Sequence, residues 1–247
     1  MELAYLRHLI ELEAPVWGLV RLSVGYVLLD RGGLASFLHR VQGRTAWGKT
    51  RLLLRLARKL TPLQRQVQSD LWRLAAHKVL GRKLPKLLEN LPEGIGYINV
   101  GQSNLTEHTL TALSAHPEAR ITVMIHDTIP LDYPAYQAAG IPERFRGFLL
   151  RTGRFADLVI CNSGQTERDL RRHLGPLGLA PETVVAHLGV PVPVPSAAPE
   201  GPWSGRRYFV VLGTVEPRKN HALLLDIWEQ EAPDADLLIC GGRGWNN

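Results

Sequence analysis

The 247-residue sequence predicts an α/β protein built on a parallel sheet. From about residue 96 onward, short apolar runs rich in β-branched residues alternate with segments of helical periodicity. Most of these runs end in glycine or polar residues, the positions from which a parallel sheet presents its ligands. A proline-rich stretch from Gly189 to Gly205 interrupts the pattern, and a second unit of the same kind opens after it.

Length and composition bound the answer. Apolar content of 45% and aromatic content of 7% describe a globular protein with enough chain for one large or two modest domains. The longest apolar stretch, Ala14 to Leu29, is interrupted by Arg21 and Ser23, so no membrane span is predicted. No basic segment followed by an apolar one marks a signal peptide, and the expected compartment is the cytoplasm. The triplet at Asn104 would matter only in a secretory pathway. Cys161 and Cys240 each end an apolar run, which predicts two reduced core thiols rather than a disulfide.

The net charge of +6 is unevenly distributed. Residues 31–88 hold fourteen Lys and Arg against one acid, Asp70, while the other fifteen basic residues face 22 acids, a balance of −7. Such a segment suggests a polyanionic partner. Within it, Thr50 to Leu60 reads as an amphipathic helix with Leu52, Leu53, Leu56 and Leu60 on one face. An anionic membrane surface contacted through 44–65 is one expectation, and a core-packed helix with a solvated cationic back is the other. No aromatic interleaving or recognition motif accompanies the charge, so nucleic acid is not an expected partner.

Taken in order, Leu3, Leu6, Leu9 and Ile10 share a helical face, and Val16–Leu22 and Val24–Leu29 read as short strands. An α/β unit ordinarily begins with a strand before its first helix, so an opening strand is expected to be missing ahead of this one. Leu34, Phe37, Leu38 and Val41 have helical spacing, and 62–91 reads as helical with Leu71, Trp72, Ala75 and Val79 on one side. Strands are then expected at Gly96–Val100, Ile121–Ile125, Leu158–Cys161 and Thr183–Ala186, with helices from about Thr106, over Arg144–Thr152, and from the capping Ser163 to His173. These boundaries give an N-terminal domain over 1–188, a linker over 189–205 and the start of a second domain over 206–247.

Two stretches carry candidate phosphate chemistry. Gly43 to Thr50 matches the P-loop pattern, with Lys49 for the terminal phosphates and Thr50 for magnesium, but it follows a helical segment where a P-loop follows a strand. Tyr208 to Leu212 reads as a buried strand; Gly213 and Thr214 end it, and Pro217 suits the first turn of a following helix. Arg218 and Lys219 then lie beside that helix start, suited to a phosphate, with a solvated basic turn as the plain alternative. Polar clusters also end the other strands: Gly101 to Asn104, His126-Asp127, Asn162-Ser163 and His187 to Gly189. Two domains joined by a proline linker suggest a cleft.

NVGQSNL at 99–105, VMIHDTIPLDYP at 123–134, ADLVICNSGQT at 156–166, LGTVEPRKNHALLLD at 212–226 and CGGRGWNN at 240–247 together resemble the family 4 glycosyltransferases, the group 1 family of the GT-B type. The resemblance implies a Rossmann-like N-terminal domain plus the first βαβ unit of a second such domain. It implies a nucleotide-sugar donor, a saccharide or lipid-linked acceptor, usually retaining chemistry, and no cofactor or obligatory metal. Arg218 and Lys219, with Gly213 and Thr214, would take the donor diphosphate. His126 would line the transfer site with Asp127 orienting it, and Gly101 and Gln102 would lie on the acceptor side. Thr214 stands where many members have Arg.

The resemblance also implies a chain short of the family's Glu-x7-Glu motif at its C-terminus and of a strand and loop ahead of MELAYLRHL. The expected function is therefore hexosyl or mannosyl transfer to an envelope polysaccharide at the inner face of a membrane, weak or absent in this 247-residue form. A P-loop NTPase using Gly43–Thr50, and a non-catalytic membrane-associated remnant or partner subunit, are the alternatives.

Overall fold

The computed structural model describes residues 2–244 other than Leu56, Arg58, Pro191, Pro193, Pro195, Ala198 and Ala232, and of Leu53 only the backbone. The described residues form two compact units, one running to Asp127 and resuming over Gly147–His187, the other comprising Thr128–Arg146 and the chain from Leu188.

The first unit opens with α1 (Glu2–Glu11), the hairpin strands β1 (Gly18–Leu22) and β2 (Gly25–Leu29), and α2 (Arg31–Val41). The Asp30 carboxylate caps α2 by accepting the Gly33 amide at 2.8 Å. Next come the short α3 (Leu52–Arg55), α4 (Pro62–Leu74), β3 (His77–Leu80) and α5 (Leu84–Leu88). Thr61 and Gln64 start α4 with a reciprocal capping box. Strands β1, β2 and β3 make an antiparallel sheet with β2 in the middle and buried throughout. Leu22, Val27, Leu29, Leu34, Leu71 and Ala75 form the core that α2 and α4 pack onto this sheet.

The second sheet is the predicted parallel one: β4 (Gly96–Asn99), α6 (Glu107–Ser114), β5 (Arg120–Ile125), α7 (Ile129–Asp132), α8 (Ile141–Phe155), β6 (Leu158–Cys161), α9 (Gly164–Leu174) and β7 (Glu182–Val185). Its order is β4-β5-β6-β7, each strand parallel to the next. Ile121, Val123, Met124 and Ile125 of β5 are essentially inaccessible to solvent, as a central parallel strand requires. The chain is thus an α/β protein with a four-stranded, Rossmann-like parallel sheet.

Two local expectations need correction, and the structure bears on the P-loop alternative. Residues 62–91 are not one helical segment: α4 ends at Leu74, the extended backbone of Ala75 (ψ 128°) turns the chain into β3, and Val79 pairs with Tyr26 of β2. The edge of a buried strand outweighed helical spacing there. Helix α3 spans four residues instead of eleven, with Leu54 buried and Leu52 76% exposed. Leu56, Arg58 and the Leu53 side chain, part of the expected amphipathic face, lie outside the described residues. Gly43–Thr50 follows α2 with no strand leading into it, and the buried Asp70 carboxylate accepts the Gly48 amide at 2.8 Å. A loop whose amide is held by a carboxylate is not arranged to cradle a phosphate.

The other unit contains α7, the first turns of α8, and β8 (Tyr208–Leu212), α10 (His221–Glu231) and β9 (Asp236–Cys240), with β8 and β9 paired in parallel. The five apolar residues of β8, expected to be buried, are largely exposed, Leu212 at 83%. A two-stranded sheet with a single crossover helix leaves most of its surface uncovered. Cys240, expected in the core, is likewise exposed at the end of β9.

Candidate functional site

The C-terminal ends of the four parallel strands are held together by hydrogen bonds. After β4, the chain turns through a tight loop in which Gln102 (φ 57°) and Asn104 (φ 60°) both adopt left-handed backbone. Asn accepts this conformation readily; for Gln it costs on the order of 1 kcal/mol. Asn99 Nδ2 donates to the Ser103 carbonyl at 2.7 Å and to the Tyr97 hydroxyl at 2.9 Å, bracing the loop from beneath. Burial pushes the Tyr97 phenol above its ordinary pKa, against the smaller opposing effect of the Asn99 hydrogen bond. Arg151 of α8 donates from Nε to the Leu105 carbonyl at 2.7 Å, fixing the far side of the loop.

His126 directly follows β5. Its Nε2 lies 2.8 Å from the Val100 carbonyl oxygen, which accepts only, so Nε2 carries the proton and Nδ1 is the nitrogen left to accept. The ring is therefore oriented by the neighbouring strand end. Asp127, named with it, is half-buried at the same edge and has a partner of its own.

Beyond β6, Ser163 caps α9 by accepting the Thr166 amide at 3.1 Å. Thr166, 5% exposed, places its hydroxyl 2.8 Å from Asn162 Oδ1 and 3.2 Å from the His126 carbonyl oxygen, linking the ends of β5 and β6. Past β7, His187 Nδ1 approaches the Asn162 carbonyl at 3.1 Å. Between α9 and β7, Glu167 accepts from the Thr183 hydroxyl at 2.6 Å and Arg171 Nη2 at 3.0 Å. Those two contacts hold its carboxyl below the usual range. The structure thus brings Gly101, Gln102, His126 and Asp127 to one end of one sheet. Sequence reasoning missed Asn99, Arg151 and Thr166; only Thr166 had a signal, three residues after a Ser cap.

The second unit carries the other candidates. Gly213, at the end of β8, has φ 152° and sits against Gly241, where a Cβ would collide with the Gly213 carbonyl. Pro217 opens a 3-10 turn (Pro217–Lys219) rather than the first turn of α10, and left-handed Asn220 (φ 50°) separates that turn from the helix. Arg218 Nη2 contacts Glu216 Oε1 at 2.6 Å, which partly neutralises it. The Lys219 stem runs over Gly213, and Lys219 and Thr214 are both exposed residues. Lys219 is accordingly the more available cation. Among the described residues no group of three or more His, Cys, Asp or Glu is placed to hold a metal ion, and no helix is long and apolar enough to cross a membrane.

Comparison with known proteins adds one finding. The chain is similar to serotype-specific mannosyltransferase WbdA proteins of Escherichia coli, at 28% and 29% identity over 149 residues. The match takes in 50% of this chain and 17% of each relative, so it spans a small part of their length. No protein-family profile matches the chain. No solved structure matches it either.

Proposed function

We propose that the chain is a glycosyltransferase that moves a hexose, mannose first among candidates, from a nucleotide-sugar to a saccharide or lipid-linked acceptor of the cell envelope. The observation that carries this reading is the gathering of His126, Asn162, Thr166 and His187 at adjacent parallel strand ends, in a chain with mannosyltransferase relatives. In the proposed reaction the acceptor hydroxyl oxygen bonds to the anomeric carbon on the face from which the diphosphate departs, retaining configuration. The hydroxyl proton passes to the leaving phosphate oxygen, so no protein nucleophile is needed. Lys219, with Arg218, stabilises the charge growing on the diphosphate, and Gly213 and Thr214 lie against it.

His126 offers Nδ1 to a sugar hydroxyl at the transfer site, with Asp127 beside it, and the loop of Gly101 and Gln102 takes the acceptor side. The reading requires no metal. The cationic surface of 44–65, on which Arg44, Lys49, Arg55, Lys59 and Arg65 are exposed or half-exposed, fits an anionic membrane at its cytoplasmic face.

The test is calorimetric titration of the full chain with GDP and UDP, alongside transfer from GDP-mannose and UDP-hexoses to a lipid extract. At least one nucleoside diphosphate should bind, and Lys219→Ala should weaken that binding tenfold or more. Unchanged affinity removes Lys219 from the donor site; no binding and no transfer with any donor overturns the reading.

A further inference from the structure

Between the two sheets of the first unit lies a cavity of about 580 Å³, a size typical of sites that bury a small molecule. Leu9, Trp17, Leu28, Leu88, Ile98 and Leu113 give it an apolar wall drawn from both sheets and the helices on them. A cavity with such a wall favours apolar guests over water. It also follows β4: Ile95 and Gly96 line it where the strand starts, and Val100 and Gly101 line it past the end. Four strand residues at about 3.3 Å each make the hollow roughly 13 Å long over the strand alone. That is the form of a chain and not of a compact ring.

The polar groups of the wall say what such a chain would carry. Past the C-terminal end of β4, the Glu2 carboxylate lies against Gly101, where a Cβ would collide with it. Ser103 and Asn104 line the cavity there as well, and the buried Asn99 has no partner for Oδ1. Glu93 lines the other end, and no Lys, Arg or His is among the described residues around the cavity. Carboxylates without a cation repel a phosphate or fatty-acid head, whereas hydroxyl groups donate to them. The Val100 carbonyl at the polar end is the one that accepts from His126 Nε2 at 2.8 Å, so this end adjoins His126.

We propose that the cavity holds the apolar chain of a neutral glycolipid, with the hydroxyl-bearing head at Glu2 and Gly101 beside His126. Burial of the chain supplies the affinity, and the carboxylate with its missing counter-cation selects an uncharged head. The role of this lipid as acceptor rests on the sugar-transfer reading; its binding does not.

The test is calorimetric titration of the full chain with dodecyl mannoside below its micellar concentration, beside mannose and dodecyl phosphate, with no nucleotide present. The mannoside should bind at least a hundredfold more tightly than mannose and tenfold more tightly than the phosphate. Leu12 and Ile98 line the cavity at 53% and 50% exposure. Leu12→Trp and Ile98→Trp should each fill it and weaken mannoside binding at least tenfold with Tm unchanged. Glu2→Gln should raise the affinity for dodecyl phosphate at least fivefold. A series from hexyl to dodecyl mannoside needs no variant: affinity should rise at least threefold with each added pair of carbons. No mannoside binding, equal binding of the phosphate, a flat chain-length series or indifference to both Trp substitutions overturns the proposal. Mannoside binding by a chain that transfers no sugar supports the cavity and overturns the transfer reading alone. Transfer to a soluble saccharide without mannoside binding overturns the cavity alone.

Discussion

His126 presents Nε2 to the carbonyl oxygen of Val100 at 2.8 Å, so a residue following β5 takes its orientation from the chain leaving β4. A backbone carbonyl can only accept, which fixes the neutral tautomer with Nδ1 unprotonated. Imidazole nitrogen-15 spectra of the neutral side chain should show the Nε2–H form. His126→Asn, too short to span both positions, should cost sugar transfer a hundredfold or more while leaving Tm nearly unchanged. A variant that keeps full transfer would take His126 out of the chemistry.

Asp70, the one acid among residues 31–88, is buried and accepts from Arg40 Nε at 3.1 Å, from the Gly48 amide at 2.8 Å and from Arg73. Arg73 also reaches the Lys49 carbonyl. Removing the carboxylate leaves the Gly48 amide without this acceptor and takes the carboxylate from two guanidinium groups, which keep carbonyl acceptors at Ser36 and Lys49. Asp70→Ala should therefore cost about 3–5 kcal/mol, read as a fall in Tm of roughly 10 °C. Lys49→Ala should leave both stability and nucleotide affinity unchanged, because only the Lys49 backbone is used. Loss of magnesium-dependent nucleotide binding in Lys49→Ala would revive the P-loop.

These two sites mark what was legible in the sequence. The strand ends of the parallel sheet were readable because their signals are local: ITVMI before His126-Asp127, and LVIC before a Ser163 cap. The Asp70 hub was not, since three of its donors, from Arg40, Gly48 and Arg73, are scattered over α2, a loop and α4. Strand β3 was hidden for a similar reason. Ala75 and Val79 keep a helical interval from Leu71, and only the long-range pairing of Val79 with Tyr26 decides against it. The apolar run of β8 was identified as a strand, but its burial depends on neighbours that a run of five residues does not specify.

At the end of β9, Gly241 approaches the Gly213 carbonyl so closely that no side chain fits between them. The Gly213 amide bonds to the Cys240 carbonyl at 2.9 Å, and the Val215 amide to the Gly242 carbonyl at 3.0 Å. The loops after β8 and β9 are thus zipped together below Lys219. Gly241→Ala must push them apart, at a cost of about 1–3 kcal/mol. Hydrogen exchange at the Gly213 and Val215 amides should quicken, and nucleoside diphosphate binding should fall with it. Unaltered exchange would show that the contact relaxes without consequence.

The two cysteines should separate by reactivity and by pH. Burial, then the Glu167 carboxylate, pushes the Cys161 thiol from 9.0 up to about 11, with Arg171 opposing. Cys240 is exposed. A disulfide reagent at pH 8 should therefore label one thiol rapidly in the native chain and the second only on unfolding. The stability change has a definite sign. A thiol whose folded pKa is raised holds its proton more tightly in the folded state, so its contribution is whole below pH 9 and is lost as pH rises through 11. Replacing Cys161 with Ala should flatten that alkaline limb in chemical denaturation while Cys240→Ala leaves it in place. Rapid labelling of both thiols in the native protein would contradict the packing of β6.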